Sequence, residues 1–342
     1  MTNTMTLPAY NFPDAPYAYG APESRAEFKT VPQDFIVEEV LGFEPCGDGE
    51  HLFLLAQTDD QNTQFTLKLI ARHFKVPPRQ VSYSGLKDRR GLTSQWFSVH
   101  MPGSTQEADA DVLQTQGIHL LRQSRHNKKL RIGTHKANRF HIRLRNCQNS
   151  DALKSRLDPI ARQGVPNYFG PQRFGHSGRN VNDALGWVEK NELPHDRELR
   201  GRVLSTLRAW LFNGELAQRL TAGHWPSWQP GDPVQLDGSH SFFLPDAWDD
   251  TLQTRLEEGD VHPATWLFSA DHPGHAPSSI SEYLTKAGLN AETRALRLLP
   301  RNLQWEQQES DVLLRFNLPT GTYATSVLRE LVILDDKSLP ER

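Results

Sequence analysis

The sequence predicts an α+β protein in which a strand-rich, basic domain is interrupted by a more helical, acidic insertion. Three observations carry this. Runs with the alternation of β-strands fill most of the first 150 residues, helical periodicity takes over after Gly164, and a strand-forming run, "DVLLRFNLP", returns at 311–319. At 342 residues the chain is long enough for one large domain or two ordinary ones, each with a sizeable core.

Taken in order, "DFIVEEVLGF" (34–43) and "HLFLLAQT" (51–58) concentrate β-forming residues and are separated by the turn-rich "EPCGDGE", which predicts a hairpin. Asn62 is placed to cap the helix "TQFTLKLIARHF", with Phe65, Leu69, Ile70 and Phe74 on one face. "RQVSYSG" and "SQWFSVHM" predict strands on either side of a turn at Asp88, and a short helix is expected over 110–116. "IHLLRQ" and "NRFHIRLRNC" predict two further strands, and 151–163 returns to helix. The Gly- and Pro-punctuated loop "GVPNYFGPQRFGHSGRN" opens the insertion; helices follow over 181–190 and 198–222, the second read as one helix or two. "SADHPGHAPSS" (269–279) has the composition of a linker, and "TGTYATSVLREL" (320–331) reads as a turn and helix. The expected organisation is a discontinuous domain of residues 1–163 and 301–342 with an insertion at 164–300.

Composition narrows the function. No run reaches the length of a membrane span and the first 22 residues lack a signal-peptide pattern, so a cytoplasmic location is expected. Cys46 and Cys147 form no CxxC pair and are expected to be reduced core thiols. The net charge of −3 hides a partition: residues 62–145 hold 16 Lys or Arg against 4 Asp or Glu, leaving −15 for the remainder. Its densest part, "RQSRHNKKLRIGTHKANRFHIRLR" (122–145), has nine Lys or Arg, three His and no acid, the footprint of a phosphate-backbone binder rather than an ordinary solvated face.

Within that basic region Asp88 is the one acid between Asp60 and Glu107, enclosed by Lys87, Arg89 and Arg90 in "YSGLKDRRGLTSQWFSV". A charged turn cap would have this form, and so would a carboxylate kept ionised beside a polyanion. This segment, "GVPNYFGPQRFG" and "NLPTGTYATSVLREL" together resemble the TruD family of tRNA pseudouridine synthases; the similarity extends through "FKTVPQDFIVEEVLGFEPCGDGEHLF", "RHNKKLRIGTHKANRF" and "RALRLLP". It is thinnest over 222–291. The resemblance implies a pseudouridine-synthase catalytic domain with a mixed, mainly antiparallel sheet, a family-specific insertion, tRNA as partner, uridine 13 as target, and neither metal nor organic cofactor. Nothing in the sequence demands a partner chain, so no obligate protein partner, and a monomer, is expected.

The resemblance also assigns residues. Asp88 matches the catalytic aspartate, which either adds to the substrate or removes a sugar proton; the sequence leaves both routes open. Lys29 matches a basic partner of that carboxylate, its alternative being an exposed strand-edge lysine. Phe35 matches an aromatic bordering the uridine pocket, with core packing as the rival. Asn138 and Phe140 match positions that hydrogen-bond and stack the target base, as an extruded base requires, though Phe140 also begins an alternating strand. Tyr323 matches an aromatic, often Phe, at the end of the pocket. In the basic stretch Lys128, Lys129 and Arg131 are candidate RNA-backbone contacts, and Arg173 a candidate phosphate contact, while the rest of "NYFGPQRFG" reads as structural.

The pair His272 and His275 lies in the linker without a third ligand, which disfavours metal. The eight Trp read as core anchors. Two rivals remain: a noncatalytic tRNA-binding module, which has no need of Asp88, and a small-molecule hydrolase, which leaves the basic segment unexplained and lacks any GxSxG, HExxH or P-loop pattern.

Overall fold

The alternating runs are strands in the computed structural model, which describes residues 15–87, 91–175, 178–274 and 276–338. In chain order it holds β1 (Arg25–Phe28), β2 (Phe35–Val40), β3 (His51–Asp59), α1 (Thr63–His73), β4 (Val81–Tyr83), β5 (Leu92–His100), α2 (Ala110–Gln114), β6 (Ile118–His126), β7 (Ala137–Gln148) and α3 (Ser150–Gln163). Then come β8 (Val165–Pro166), α4 (Pro171–Phe174), α5 (Arg179–Lys190), α6 (Arg197–Thr221), β9 (Val234–Leu236), β10 (Phe242–Phe243), α7 (Asp250–Glu257), β11 (Val261–Leu267), α8 (Ser278–Lys286), β12 (Glu292–Ala295) and β13 (Arg297–Leu298). β14 (Arg301–Gln308), β15 (Asp311–Pro319), α9 (Ala324–Leu331) and β16 (Ile333–Asp336) follow.

The contacts divide these elements into two units. The strand-rich unit takes Glu23–Lys154, Pro300–Gly321 and the described residues from Val332; the helical unit takes the described residues to Pro22, Ser155–Leu299 and Thr322–Leu331. The limits expected from sequence group residues differently, since most of α3 and all of α9 fall with the helical unit. For α9 the cause is its inward face: Ala324, Val327, Leu328 and Leu331 are buried, and the Ser326 hydroxyl donates to the Tyr168 carbonyl at 2.9 Å.

Among the described residues the strand-rich unit forms a ten-stranded sheet in the order β14-β15-β7-β2-β5-β3-β6, with β1 on β7, β16 on β1 and β4 on β5. The pairs β2–β5 and β1–β16 are parallel and the others antiparallel, the mixed, mainly antiparallel sheet expected. The hairpin expected of β2 and β3 does not form. β5 lies between them, parallel to β2 and antiparallel to β3. A ten-residue connection reverses the chain without dictating which strand pairs, and β5, buried along seven successive residues, takes the central place.

α1 and α2 cover one face of this sheet around Leu54, Ile70, Phe97 and Leu113. Asn62 caps α1, its side chain accepting from the Phe65 amide at 2.8 Å. The helix is rotated from the expected face: Phe65 is 49% exposed, whereas Thr63, Thr66, Leu67, Ile70 and Ala71 are buried. The Thr63 hydroxyl explains the rotation, because it donates to Gln95 at 3.0 Å inside the sheet.

In the helical unit α6 is one 25-residue helix capped by Asp196, packed with α5 and α8 around Ala184, Leu207, Ile280 and Tyr283. A small sheet in the order β10-β9-β11-β12 and the β8–β13 pair complete it. No described helix is long and apolar enough to cross a membrane. Both cysteines are free, but neither is a core thiol: Cys46 is exposed in the polar loop before β3, and Cys147 is half-buried at the end of β7. Of the tryptophans, Trp96 and Trp210 are buried, while Trp305 is 44% exposed on β14.

Candidate active site

The site is built on β2 and β7, which pair antiparallel with Glu39 opposite Asn138 and Val37 opposite Phe140. Alternation turns Phe35, Val37 and Glu39 to the buried side of β2, so a carboxylate ends an apolar row. Glu39 is fully buried, and a charge there requires partners. It has three: the Lys87 ammonium at 2.6 Å, the Ser84 hydroxyl at 2.7 Å and the Trp96 amide at 2.9 Å. The β2–β5 ladder stops at Glu38 opposite Ser94, and the Glu39 carboxylate takes over as acceptor one step beyond.

Lys87 is held at both ends. Its ammonium also donates to the Asn138 Oδ1 at 2.8 Å, and its amide donates to the Thr63 hydroxyl at 3.1 Å. Gln95, which accepts from that hydroxyl, donates in turn to the Gly85 carbonyl. The buried His135 ring closes on the same turn; a Cβ on Gly85 would stand 2.9 Å from its Cε1, so a side chain there would force the ring to move. Burial holds the His135 imidazole below its ordinary range, partly offset by the Glu39 carboxylate 3.9 Å away.

Beside this polar network runs an aromatic row. Phe35 lies between Phe28 at 5.5 Å and Phe140 at 6.0 Å, and Phe140 lies 5.5 Å from Phe316. Phe35 and Phe140 are 4% and 6% exposed. The Lys29 ammonium stands 4.2 Å from the Phe35 ring centroid and 5.2 Å from that of Phe28, within cation–π range. Lys29 has φ of 56°, a left-handed conformation uncommon for a side-chain-bearing residue. The turn that follows is pinned by Asp34, which accepts from the Val31 amide and, bidentately, from Arg145. Those bonds to Asp34 raise the Arg145 pKa.

Asp88 lies outside the described residues. The residues bounding that segment are placed, however. Lys87 bonds Asn138, and Gly91, with φ of 142°, lies so close to Phe35 that a Cβ would come within 2.7 Å of its carbonyl oxygen. Lys29, Phe35, Asn138, Phe140 and both flanks of residue 88 thus belong to one region of the strand-rich unit.

The family model of tRNA pseudouridine synthase D matches residues 14–187 and 193–331. The chain belongs to the TruD family. It is 42% identical over 336 residues to the tRNA pseudouridine synthase D of Pseudomonas putida strain F1, covering 93% of this chain and 94% of the relative. It is 40% identical over 345 residues to that of Methylococcus capsulatus, covering 96% and 97%. A solved structure from Methanosarcina mazei, assigned provisionally to the same enzyme, shares the fold with a TM-score of 0.68 at 20% identity, covering 93% of this chain and 95% of its own.

Two TruD positions singled out in the sequence, Tyr323 and Arg173, belong to the helical unit. Tyr323 packs edge-on to Phe169 at 6.3 Å, and its ring fills the space a side chain at Gly170 would need. Arg173 reaches the Ser205 hydroxyl at 3.3 Å and stands 5.7 Å from Phe169. Arg294, missed from the sequence, stacks on Phe169 at 3.8 Å and bonds Asn167 through its carbonyl and side chain. Burial pushes its pKa down to about 10, opposed by Tyr323 and reinforced by Arg173.

The basic stretch separates into two sets. On β7 the outward Arg139, Arg143 and Arg145 meet Glu38, Asp311 and Asp34, and on β6 Arg122 meets Glu44. Lys128, Lys129 and Arg131, on the β6–β7 loop, are exposed. His272 stacks on Trp266 at 3.7 Å, and His275 lies outside the described residues. Among the described residues no three His, Cys, Asp or Glu side chains are grouped to hold a metal ion.

The sequence reading also missed Glu39. Its signal was parity: Phe35, Val37 and Glu39 share one face of an alternating strand, which makes a glutamate a core residue and demands a buried cation.

Proposed function

We propose that this TruD protein converts uridine 13 of tRNA to pseudouridine, on a flipped-out base and with Asp88 as the reacting carboxylate. The single observation that carries the assignment is that Lys87 and Gly91, on either side of residues 88–90, lie against Asn138 and Phe35. The reaction breaks the bond from ribose to N1, turns the base, and bonds the sugar to carbon 5, whose hydrogen leaves as a proton while N1 takes one up. Asp88 serves either by adding to the substrate and later departing or by removing and returning a sugar proton. No cofactor enters this balance.

The other roles follow from the partners each residue has. The Lys29 ammonium favours the ionised form of a nearby carboxylate while resting on Phe35. Because the Asn138 Oδ1 is engaged by Lys87, its amide nitrogen is the atom left to donate to a uridine carbonyl. Phe35 and Phe140 supply an apolar wall for the base. Lys128, Lys129 and Arg131 take backbone phosphates, and Tyr323 and Arg173 are the helical unit's candidates for base and phosphate.

The test uses tRNA transcript tritiated at carbon 5 of uridine. Wild type releases tritium, and Asp88→Asn binds the same tRNA but releases none. Product formed by Asp88→Asn at the wild-type rate defeats the assignment of the carboxylate; absence of release by wild type from any cellular tRNA defeats the reading as a whole.

A further inference from the structure

A cavity of about 670 Å³ in the strand-rich unit lies outside the Glu39 network and is bordered by Phe43, His126, Lys128, Lys129 and Arg131. Its volume falls within the range of small-ligand sites. Its floor is apolar: Phe53 and Leu130 line it and are each 1% exposed. Phe43 stands on Phe53, 6.5 Å between ring centroids, and keeps 36% of its surface in solvent, 5.2 Å from the His126 ring at an interplanar angle of 31°. His126 is oriented by the Cys46 amide, which donates to its Nδ1 at 3.3 Å, so a neutral ring carries its proton on Nε2. On the 44–50 loop Glu44 is paired with Arg122 at 2.6 Å and Glu50 with His100 at 3.4 Å, and Asp48 is exposed.

We infer that this cavity binds one unstacked nucleotide of the RNA substrate, other than the target uridine, with its base on Phe43 and His126 and its phosphates on Lys128, Lys129 and Arg131. The inference rests on the tRNA reading above. Exposed aromatic faces recognise single-stranded bases of any sequence, and flanking cations follow the backbone; an A-form duplex offers no free base to such a concavity. The cation-bearing loop is preformed. The Arg131 amide donates to the Thr134 hydroxyl, and the Gly133 amide donates at 2.6 Å to the carbonyl of Ser84, whose hydroxyl holds Glu39. A nucleotide seated here therefore rests on a wall tied to the catalytic region.

The experiment titrates full-length protein with labelled tRNA transcript at several salt concentrations. Phe43→Ala should weaken binding by about 5- to 150-fold, the range for loss of one base stack, with the salt slope unchanged. Phe43→Trp should retain near wild-type affinity, which separates missing stacking from misfolding. A transcript made abasic at one nucleotide other than the target should bind wild type as weakly as intact tRNA binds Phe43→Ala, and should lose nothing further with that variant. Phe43→Ala binding with wild-type affinity, or abasic losses additive with it at every position, overturns the inference while leaving the tRNA reading intact. Absence of tRNA binding by wild type overturns both. Free UMP held at micromolar concentration, with tRNA affinity indifferent to Phe43→Ala, would assign the cavity to a mononucleotide and overturn it as well.

Discussion

Lys87→Met should destabilise the strand-rich unit by about 3–5 kcal/mol, the usual cost of stripping one partner from a buried ion pair. The side chains of Glu39 and Lys87 are 0% and 7% exposed, so solvent cannot replace the missing ammonium. Glu39→Gln should cost a similar amount, because it strands the ammonium with Asn138 as its remaining neutral acceptor in this network. The double variant is the informative one. With its oxygen in the Oε2 position the neutral amide still accepts from both the Trp96 amide and the Ser84 hydroxyl, while the new NH₂ stands where Oε1 met Lys87, leaving a residual cost of about 1–3 kcal/mol for the hydrogen bond it lacks. The coupling between the two substitutions should therefore exceed about 3 kcal/mol. Hydrogen exchange of the β2 and β5 amides reads this locally, with no need for the two units to unfold together; the Trp96 amide is a direct reporter. Losses that add to within about 0.5 kcal/mol would refute the coupled-pair reasoning.

Replacing Lys128, Lys129 and Arg131 by Ala should flatten the salt dependence of tRNA affinity by about 0.7–0.9 logarithmic units for each phosphate no longer neutralised, whereas Arg143→Gln, taken from an arginine paired with Asp311, should leave the slope unchanged; equal slopes for both would place the loop cations on a bystander face. Lys29→Met should lower the single-turnover rate at saturating tRNA and add little once Asp88→Ala is present, since groups acting as a unit are non-additive; a full rate with weakened binding would make Lys29 a phosphate ligand instead. His135 should make stability fall with acidity. Its folded pKa is below the ordinary 6.5, so the unfolded chain takes the proton first, and stability present above about pH 6.5 is lost as pH falls toward the folded value. His135→Gln should show a smaller loss of urea midpoint between about pH 7.5 and about pH 5.5, and an unchanged loss would contradict the assignment.

Features that depend on local chemistry were legible in the chain before it folds. Strand alternation, the Asn62 cap and the long apolar face of α6 are short-range patterns that bias the backbone wherever the chain goes. The family was legible for a related reason: long ordered motifs survive in the text whatever their geometry. Other features were set by neighbours distant in sequence, and folding alone brings those together. The hairpin expected of β2 and β3 gave way to insertion of β5, because pairing is chosen by burial across the sheet, whereas a turn-rich loop reports only that the chain reverses. The face of α1 was set by the Thr63 hydroxyl meeting Gln95, an interaction no periodicity encodes. The same holds for the basic stretch: one composition supplied arginines consumed by Asp34, Glu38, Glu44 and Asp311 and a loop of exposed cations, and the division follows from which side of a strand or loop each side chain leaves. Glu39 lay between the two regimes. Its parity was in the sequence, but its purpose became visible only when Lys87, 48 positions later, closed on it at 2.6 Å.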